Sequence, residues 1–379
     1  MDVYILDENL RRAELIQAFE SMIWTERYNT VGDFELVVSP TNAPSQLVEG
    51  AYLVINSSDR VMIIDTVERK EDANGSEKLT FKGPSIESVL EDRSNVTFAD
   101  GTVPASPFDL TGLPAAVVRD LVDLICRTNP NISQDIIPAL HAGSITTPGT
   151  IEEPSDVVTF STEIDTLYNT VNKICAMFNI GFRLIRNGET GELYFEVYTG
   201  DDRTSAQTIF PAVLFSPEMD NMAGSTELHS TAALKTVAYV FGVNGSAVVY
   251  APGVDPSDAG FVRKVLIVQA TDIDLPVGDE LTAALTQKGL EELANNRSVI
   301  GFDAEIPQVQ GAYIYGRDYF LGDLVEQRSD TGMSKYLRVV EQIFVSDDQG
   351  DRGYPTLLID TLVTAGSWFA LPSSLYWDD

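Results

Sequence analysis

The chain has 379 residues, 44% of them apolar and 9% aromatic, which suits two to four packed domains and is too apolar for a disordered protein. Asp and Glu number 57 against 25 Lys and Arg, a formal charge of −32 that argues against a sequence-specific grip on nucleic acid or docking on an anionic membrane, since both need clustered cations. No apolar run approaches the roughly 20 residues that span a bilayer, and "MDVYILDENLRR" lacks the apolar core of a signal peptide.

Residues 1–95 read as β. Tyr4, Ile5 and Leu6 open a short strand, and "VGDFELVV" alternates Phe34, Leu36 and Val38 against Asp33 and Glu35. "GAYLVINSSDRVMIIDTVE", Gly50 to Glu68, supplies two strands around a polar turn, and Asn74-Gly75 marks a further hairpin tip. "GPSIESVLEDR" predicts a short helix begun by Pro84, with Ile86, Val89 and Leu90 on one side.

Residues 96–213 change to α+β. Pro114 starts a helix with Val117, Val118, Leu121, Leu124 and Ile125 at helical spacing. A second helix is expected behind a Thr162/Asp165 capping box, carrying Ile164, Leu167, Val171, Ile174 and Phe178 and ending at Gly181. Cys126 and Cys175 fall in these apolar patterns and are expected as buried free thiols, in a product made in a cytoplasm. "FRLIRNGETGELYFEVY" reads as a hairpin turning at Asn187-Gly188.

Residues 214–379 return to β, with strands around Asn244-Gly245, one amphipathic helix near Asp279 to Asn295, and a hairpin, "GDLVEQRSDTGMSKYLRVVE", from Gly322 to Glu341. That hairpin is written like the one at Gly50. "VGDFELV" before the first matches "IGFDAEI" before the second, and "KLTF" after the first matches "TLLI" after the second. With the acidic turns "KEDANGSE" and "SDDQGDRG" between each hairpin and its final strand, four elements recur in one order, which points to an internal duplication. Two similar domains per chain would let three copies present six similar units around one axis.

"IWTERYNTVGDFELVV", with Trp24, Gly32 and Phe34, resembles the opening of the baseplate hub, or tail-associated, proteins of long-tailed phages. Three more motifs are similar to that family: "FKGPSIESVLEDR" with Gly83, Leu90 and Arg93, "VLFSPEMDNM" with Phe215, Ser216 and Asn221, and "YFLGDLVEQ" with Gly322 and Asp323. The resemblance runs from about residue 4 to 345; Thr236 stands where relatives would carry Asn, and "TAGSWFALPSSLYWDD" matches nothing in the family. It implies a mostly β fold of two tube-like antiparallel β-barrel domains, 1–95 and 214–379, flanking the α+β domain 96–213. It further implies a homotrimer forming a pseudo-hexameric ring at the virion tail tip. The implied partners are the distal tail protein, the tape measure protein and receptor-binding proteins. The implied role is structural: the ring caps the tail tube and opens a channel for DNA. With 57 acids in the chain, that channel is expected to be acidic, so that DNA slides past it. Arg93 is expected to anchor a carboxylate or carbonyl at a domain junction.

No enzyme motif, cofactor site or metal site is read. His141 and His229 lie outside any HExxH pattern, no Walker loop or Gly-x-Ser-x-Gly elbow occurs, and "SDDQGD" and "TGDDR" lack calcium-loop spacing. Two other readings stay open: a receptor- or carbohydrate-binding β protein using Tyr313, Tyr315, Tyr319 and Phe320, and a polysaccharide or cell-wall hydrolase using a carboxylate pair.

Overall fold

A computed structural model describes residues 1–359 except 72–74, 76, 99–101, 103, 147–148, 272, 306–312 and 329–333. Asn74 of the expected Asn74-Gly75 hairpin tip, the turn of the Gly322 hairpin and the segment "TAGSWFALPSSLYWDD" therefore lie outside the described residues. The first segment forms β1 (Val3–Leu6), β2 (Arg12–Ile16), β3 (Ser21–Arg27), β4 (Asp33–Val38), β5 (Tyr52–Ile55), β6 (Met62–Ile63), β7 (Thr66–Glu71), β8 (Glu77–Pro84) and a 3-10 helix, Ile86–Asp92. Next come β9 (Phe108–Gly112), α1 (Pro114–Cys126), β10 (Leu140–His141), β11 (Val158–Thr162), α2 (Leu167–Phe178), β12 (Gly181–Arg186) and β13 (Leu193–Tyr198). The last segment holds β14 (Leu214–Phe215), β15 (Ala223–Ser230), β16 (Val237–Gly242), β17 (Ser246–Tyr250), β18 (Val265–Ala270), α3 (Asp279–Asn295), β19 (Val299–Glu305), β20 (Leu324–Arg328), β21 (Ser334–Asp347) and β22 (Gly350–Ile359).

No sheet closes into a barrel among the described residues, which corrects the expectation of two tube-like barrel domains. β3 pairs antiparallel with β21, Glu341 opposite Arg27 through Ser346 opposite Met22, so both ends of the chain enter one open sheet. Its main path runs β15-β19-β22-β21-β3-β4-β8-β7, with β20 and β14 branching from β21, ten strands in all among the described residues. Alternation sends Met22, Trp24, Phe34, Leu36, Val38 and Phe81 to one face, where they bury against Val3, Ile5, Leu53 and Ile55 of the second sheet, β2-β1-β5-β6.

What repeats is strand order. β3-β4-β8-β7 and β15-β19-β22-β21 have the same antiparallel neighbours when each set is numbered along the chain. Each twin hairpin also opens on a left-handed glycine, Gly50 at φ +81° and Gly322 at φ +91°. In the first half β6 and β7 are separate strands. In the second half, one long strand, β21, bends at a bulge between Val339 and Glu341 and pairs with β20 before it and β3 after it.

The middle segment packs α1 and α2 on β10-β13-β12 around Val118, Leu121, Ile125, Val171, Ile174 and Phe182. Cys126 and Cys175 are buried free thiols there, and burial pushes the Cys126 thiol up to about 12. The α2 cap differs from the Thr162/Asp165 box. Thr166 is the cap, its hydroxyl accepting from the Asn169 amide at 3.1 Å, and Thr162 belongs to β11. The helix ends at Asn179, held at φ +52°, and Gly181 begins β12. The last segment carries two cores. One lies around Phe215, Tyr319, Val325 and Leu337. The other lies between α3 and the sheet β17-β16-β18, inserted between β15 and β19.

Candidate functional site at the seam between the two halves

Of the residues singled out from sequence, Trp24 lies on the β3–β21 seam, and the others lie at several further contacts between segments. Trp24 is fully buried. Its indole N–H donates to Glu26 Oε1 at 3.1 Å, and its ring meets Phe34 at 6.1 Å. Glu26, 3% exposed, also accepts from the Tyr315 hydroxyl at 3.2 Å, which ties a buried carboxylate of β3 to the loop before β20. Tyr315 in turn meets Tyr319 at 5.6 Å and Phe344 at 5.5 Å, while Phe215 meets Tyr313 at 5.6 Å and Tyr319 at 5.8 Å. These rings bridge the cores of the two halves; Tyr313, Tyr315 and Tyr319 do not form the open platform that a sugar would stack on.

Gly32 and Ser85 are locked together. The Gly32 amide donates to Ser85 Oγ and the Ser85 amide to the Gly32 carbonyl, both at 2.9 Å. A side chain on Gly83 would sit 1.8 Å from the Ile63 carbonyl oxygen, so the β8 strand can pass β6 only with glycine there. Leu90 is buried in the core of the middle segment. Arg93 Nε donates to the Asp135 carbonyl at 3.1 Å, which places it between the 3-10 helix and the middle segment. Ser216 and Asn221 shape one loop: Asn221 Oδ1 accepts from the Ser216 amide at 3.0 Å and its Nδ2 donates to the Leu214 carbonyl at 2.7 Å.

Gly322 and Asp323 bring the middle segment to the second half. Asp323, 2% exposed, accepts from Arg203 Nε at 2.6 Å, from the Asp201 amide at 2.8 Å and from the Phe320 amide at 2.9 Å. Burial nevertheless pushes its carboxyl up to about 6, against the pull of the Asp201 amide and Arg203. Arg338, 1% exposed, donates through Nη1 to the carbonyls of Thr199 and Gly322.

One residue that the sequence did not single out joins all three segments. Tyr28, fully buried, follows β3. Its hydroxyl donates to the carbonyls of Tyr198 at 3.1 Å and Asn179 at 3.2 Å, and its own amide donates to the Val340 carbonyl at 2.9 Å. Arg338 lies over its ring at 5.4 Å, and a side chain on Gly322 would approach Tyr28 Cε2 to 2.7 Å. The available signal was an aromatic directly after an alternating strand, in "TERYN". Beside it, Arg60 and Glu87 form a buried ion pair at 2.5 Å, and Glu87 also accepts from the Leu184 amide at 2.9 Å.

The arrangement is mechanical. Buried ion pairs, glycine contacts and aromatic edges fix the three segments against one another, and breaking a buried pair by removing one partner costs more than the pair itself contributes. Among the described residues no group of three or more His, Cys, Asp or Glu side chains is placed to hold a metal, and His141 stands exposed, 3.9 Å from Glu192. No described helix is long and apolar enough to cross a membrane.

A family profile described as "Siphovirus ReqiPepy6 Gp37-like protein" matches residues 2–354. The fold is similar to that of a tail protein from Neisseria meningitidis MC58, with TM-score 0.56 and 14% identity over 95% of this chain and 96% of that one. It is also similar to the 43 kDa tail protein of prophage MuSo2 from Shewanella oneidensis, with TM-score 0.52 and 13% identity over 94% and 97% of the two chains. No curated protein matches.

Proposed function

The chain belongs to the siphovirus ReqiPepy6 Gp37-like family, and from that premise we propose that this structural phage tail protein is the hub of the tail tip, three copies forming a pseudo-hexameric ring. One observation carries the ring. The seam joins β3, the first along the chain of the four repeated strands in the first half, to β21, the third of the four in the second half. The two open ends of the sheet are β7 and β15, which are the third repeated strand of the first half and the first repeated strand of the second. A neighbouring copy can therefore set its β7 edge on this β15 edge by the rule that the seam already follows. Such head-to-tail contacts are heterologous and close into a ring when the rotation fits. Six halves, two per chain, complete the circle.

In that ring the covered face of the large sheet lies against the small sheet, and the uncovered face is left for a channel. On it Lys82 pairs with Glu35 at 2.7 Å, and Arg27 pairs with Asp33 and Glu341, each at 2.6 Å. Cations held by carboxylates give passing phosphates little counterion-release attraction, so the expected acidic lining takes the form of a wall of paired charges. The distal tail protein and the tape measure protein are the neighbours such a ring adjoins, with receptor-binding proteins at its rim. The role is structural, without catalysis in this chain.

Light scattering and electron microscopy of the purified protein, with and without tail components, test the ring. Three copies with six lobes are expected. A particle with twofold symmetry, or a chain that stays single in the presence of those components, overturns it.

A further inference from the structure

Among the described residues the sheet β17-β16-β18 is covered on one face only. Ala238, Val240, Val249, Val268 and Ala270 pack against Leu281, Leu285 and Leu293 of α3. Strand register puts Tyr239 beside Val248 and Ile267, and Phe241 beside Ser246 and Gln269, on the other face. There Ile267 is 66% exposed, Val248 56% and Phe241 43%, and Phe261, just before β18, is fully exposed. Apolar exposure at this density marks an interaction surface. A charged side chain on it is Arg263, which lies over the rings of Tyr250 at 5.5 Å and Tyr239 at 5.9 Å and donates to the Tyr239 hydroxyl at 3.1 Å.

We propose that this open face is a docking surface for residues 366–379 of the same chain, "GSWFALPSSLYWDD". The chemistry matches: Trp368, Phe369, Leu371, Leu375, Tyr376 and Trp377 supply apolar and aromatic area, and Asp378 and Asp379 supply carboxylates for Arg263. The tether matches too. Leu358 of β22 pairs with Gly301 of β19, and β19 starts at Val299, opposite Ser230 and three residues after Asn296. The Asn296 carbonyl accepts from the Lys235 amide, at the entrance to β16. The described chain thus ends at the root of the α3 unit. Residues 360–367 can extend about 28 Å, more than the ~20 Å of a six-residue strand, and tethering raises the effective concentration of the segment at the face. This inference does not depend on the ring.

The test uses the full chain. Of its three tryptophans, Trp24 is fully buried, so acrylamide quenching reports on Trp368 and Trp377. Docking predicts that both are protected in the parent protein. It predicts that Val248→Glu with Ile267→Glu removes the protection, while Trp24 stays unquenched and the thermal melt is unchanged. Arg263→Gln should weaken protection without abolishing it. Quenching in the parent equal to that of a free 366–379 peptide overturns the proposal. So does protection that survives the double substitution. So does a mass measurement in which the substitutions separate self-associated copies without changing quenching, which assigns the face to a second copy instead.

Discussion

At the residue scale the seam depends on groups whose size or charge has no substitute. Gly50 and Gly322 share a left-handed backbone, but a side chain on Gly50 meets nothing within 4 Å, whereas one on Gly322 meets Tyr28 at 2.7 Å. Gly50→Ala should cost backbone strain alone, about 1–2 kcal/mol. Gly322→Ala should cost more than that, and urea unfolding of the two variants measures the difference. Asp323 tests the charge. Its carboxyl is held at about 6, above the ordinary 3.8, so the folded state binds the proton more tightly than the unfolded chain does. Its contribution to stability is therefore fully present below the unfolded value, falls as pH rises to the folded one, and is flat above. Asp323→Asn should lose this slope between about pH 4 and 6, as seen in denaturant midpoints across that range; profiles that run parallel would show that Asp323 is not the group responsible. Tyr28 stayed hidden in the sequence because its role is set by Asn179, Tyr198 and Val340, which only the folded chain brings to it.

At the element scale, local signals were legible and long-range pairing was not. The alternation in "DFELVV" became β4 with alternating burial, and the helix expected near Asp279 to Asn295 is α3. Both are local patterns of period 2 and 3.6. The fate of the strand edges was not written locally. A twisted antiparallel meander can close on itself or add a further strand at its edge, and Phe344 opposite Trp24 is a partnership between residues 320 positions apart. The 3-10 form of Ile86–Asp92 was likewise beyond a periodicity argument. Hydrogen exchange should rank the strands accordingly. In the single chain β3 and β21, central in the sheet, should exchange slowest, and β7, where five of six residues are exposed, should exchange fast. On assembly β7 and β15 should both slow; protection of neither would remove the edge contact proposed between copies.

At the scale of the whole molecule the charge of −32 opposes bringing copies together. Assembly should therefore be favoured by salt, which screens repulsion between exposed carboxylates, and sedimentation at low and high ionic strength should show the larger species gaining. Association that weakens with salt would mean that attraction between opposite charges holds the copies together. The motif residues were legible as positions, because glycines and aromatics at strand ends stand out in the sequence. Their partners were not, since Trp24 binds Glu26, Arg93 binds Asp135 and Asp323 binds Arg203, and the last two partners lie far along the chain.

The two ends of the large sheet are unlike one another, and in the proposed ring this would serve as a counting device. In that ring the joint of β3 on β21 would set how far each half turns from the next. A turn of about 60° brings the sixth half back to the first. A slightly different turn would miss, and the same contacts would wind into an endless spiral. The bulge at Val339–Glu341 bends β21 next to that joint, so a residue added or removed there should change stoichiometry before it changes the fold.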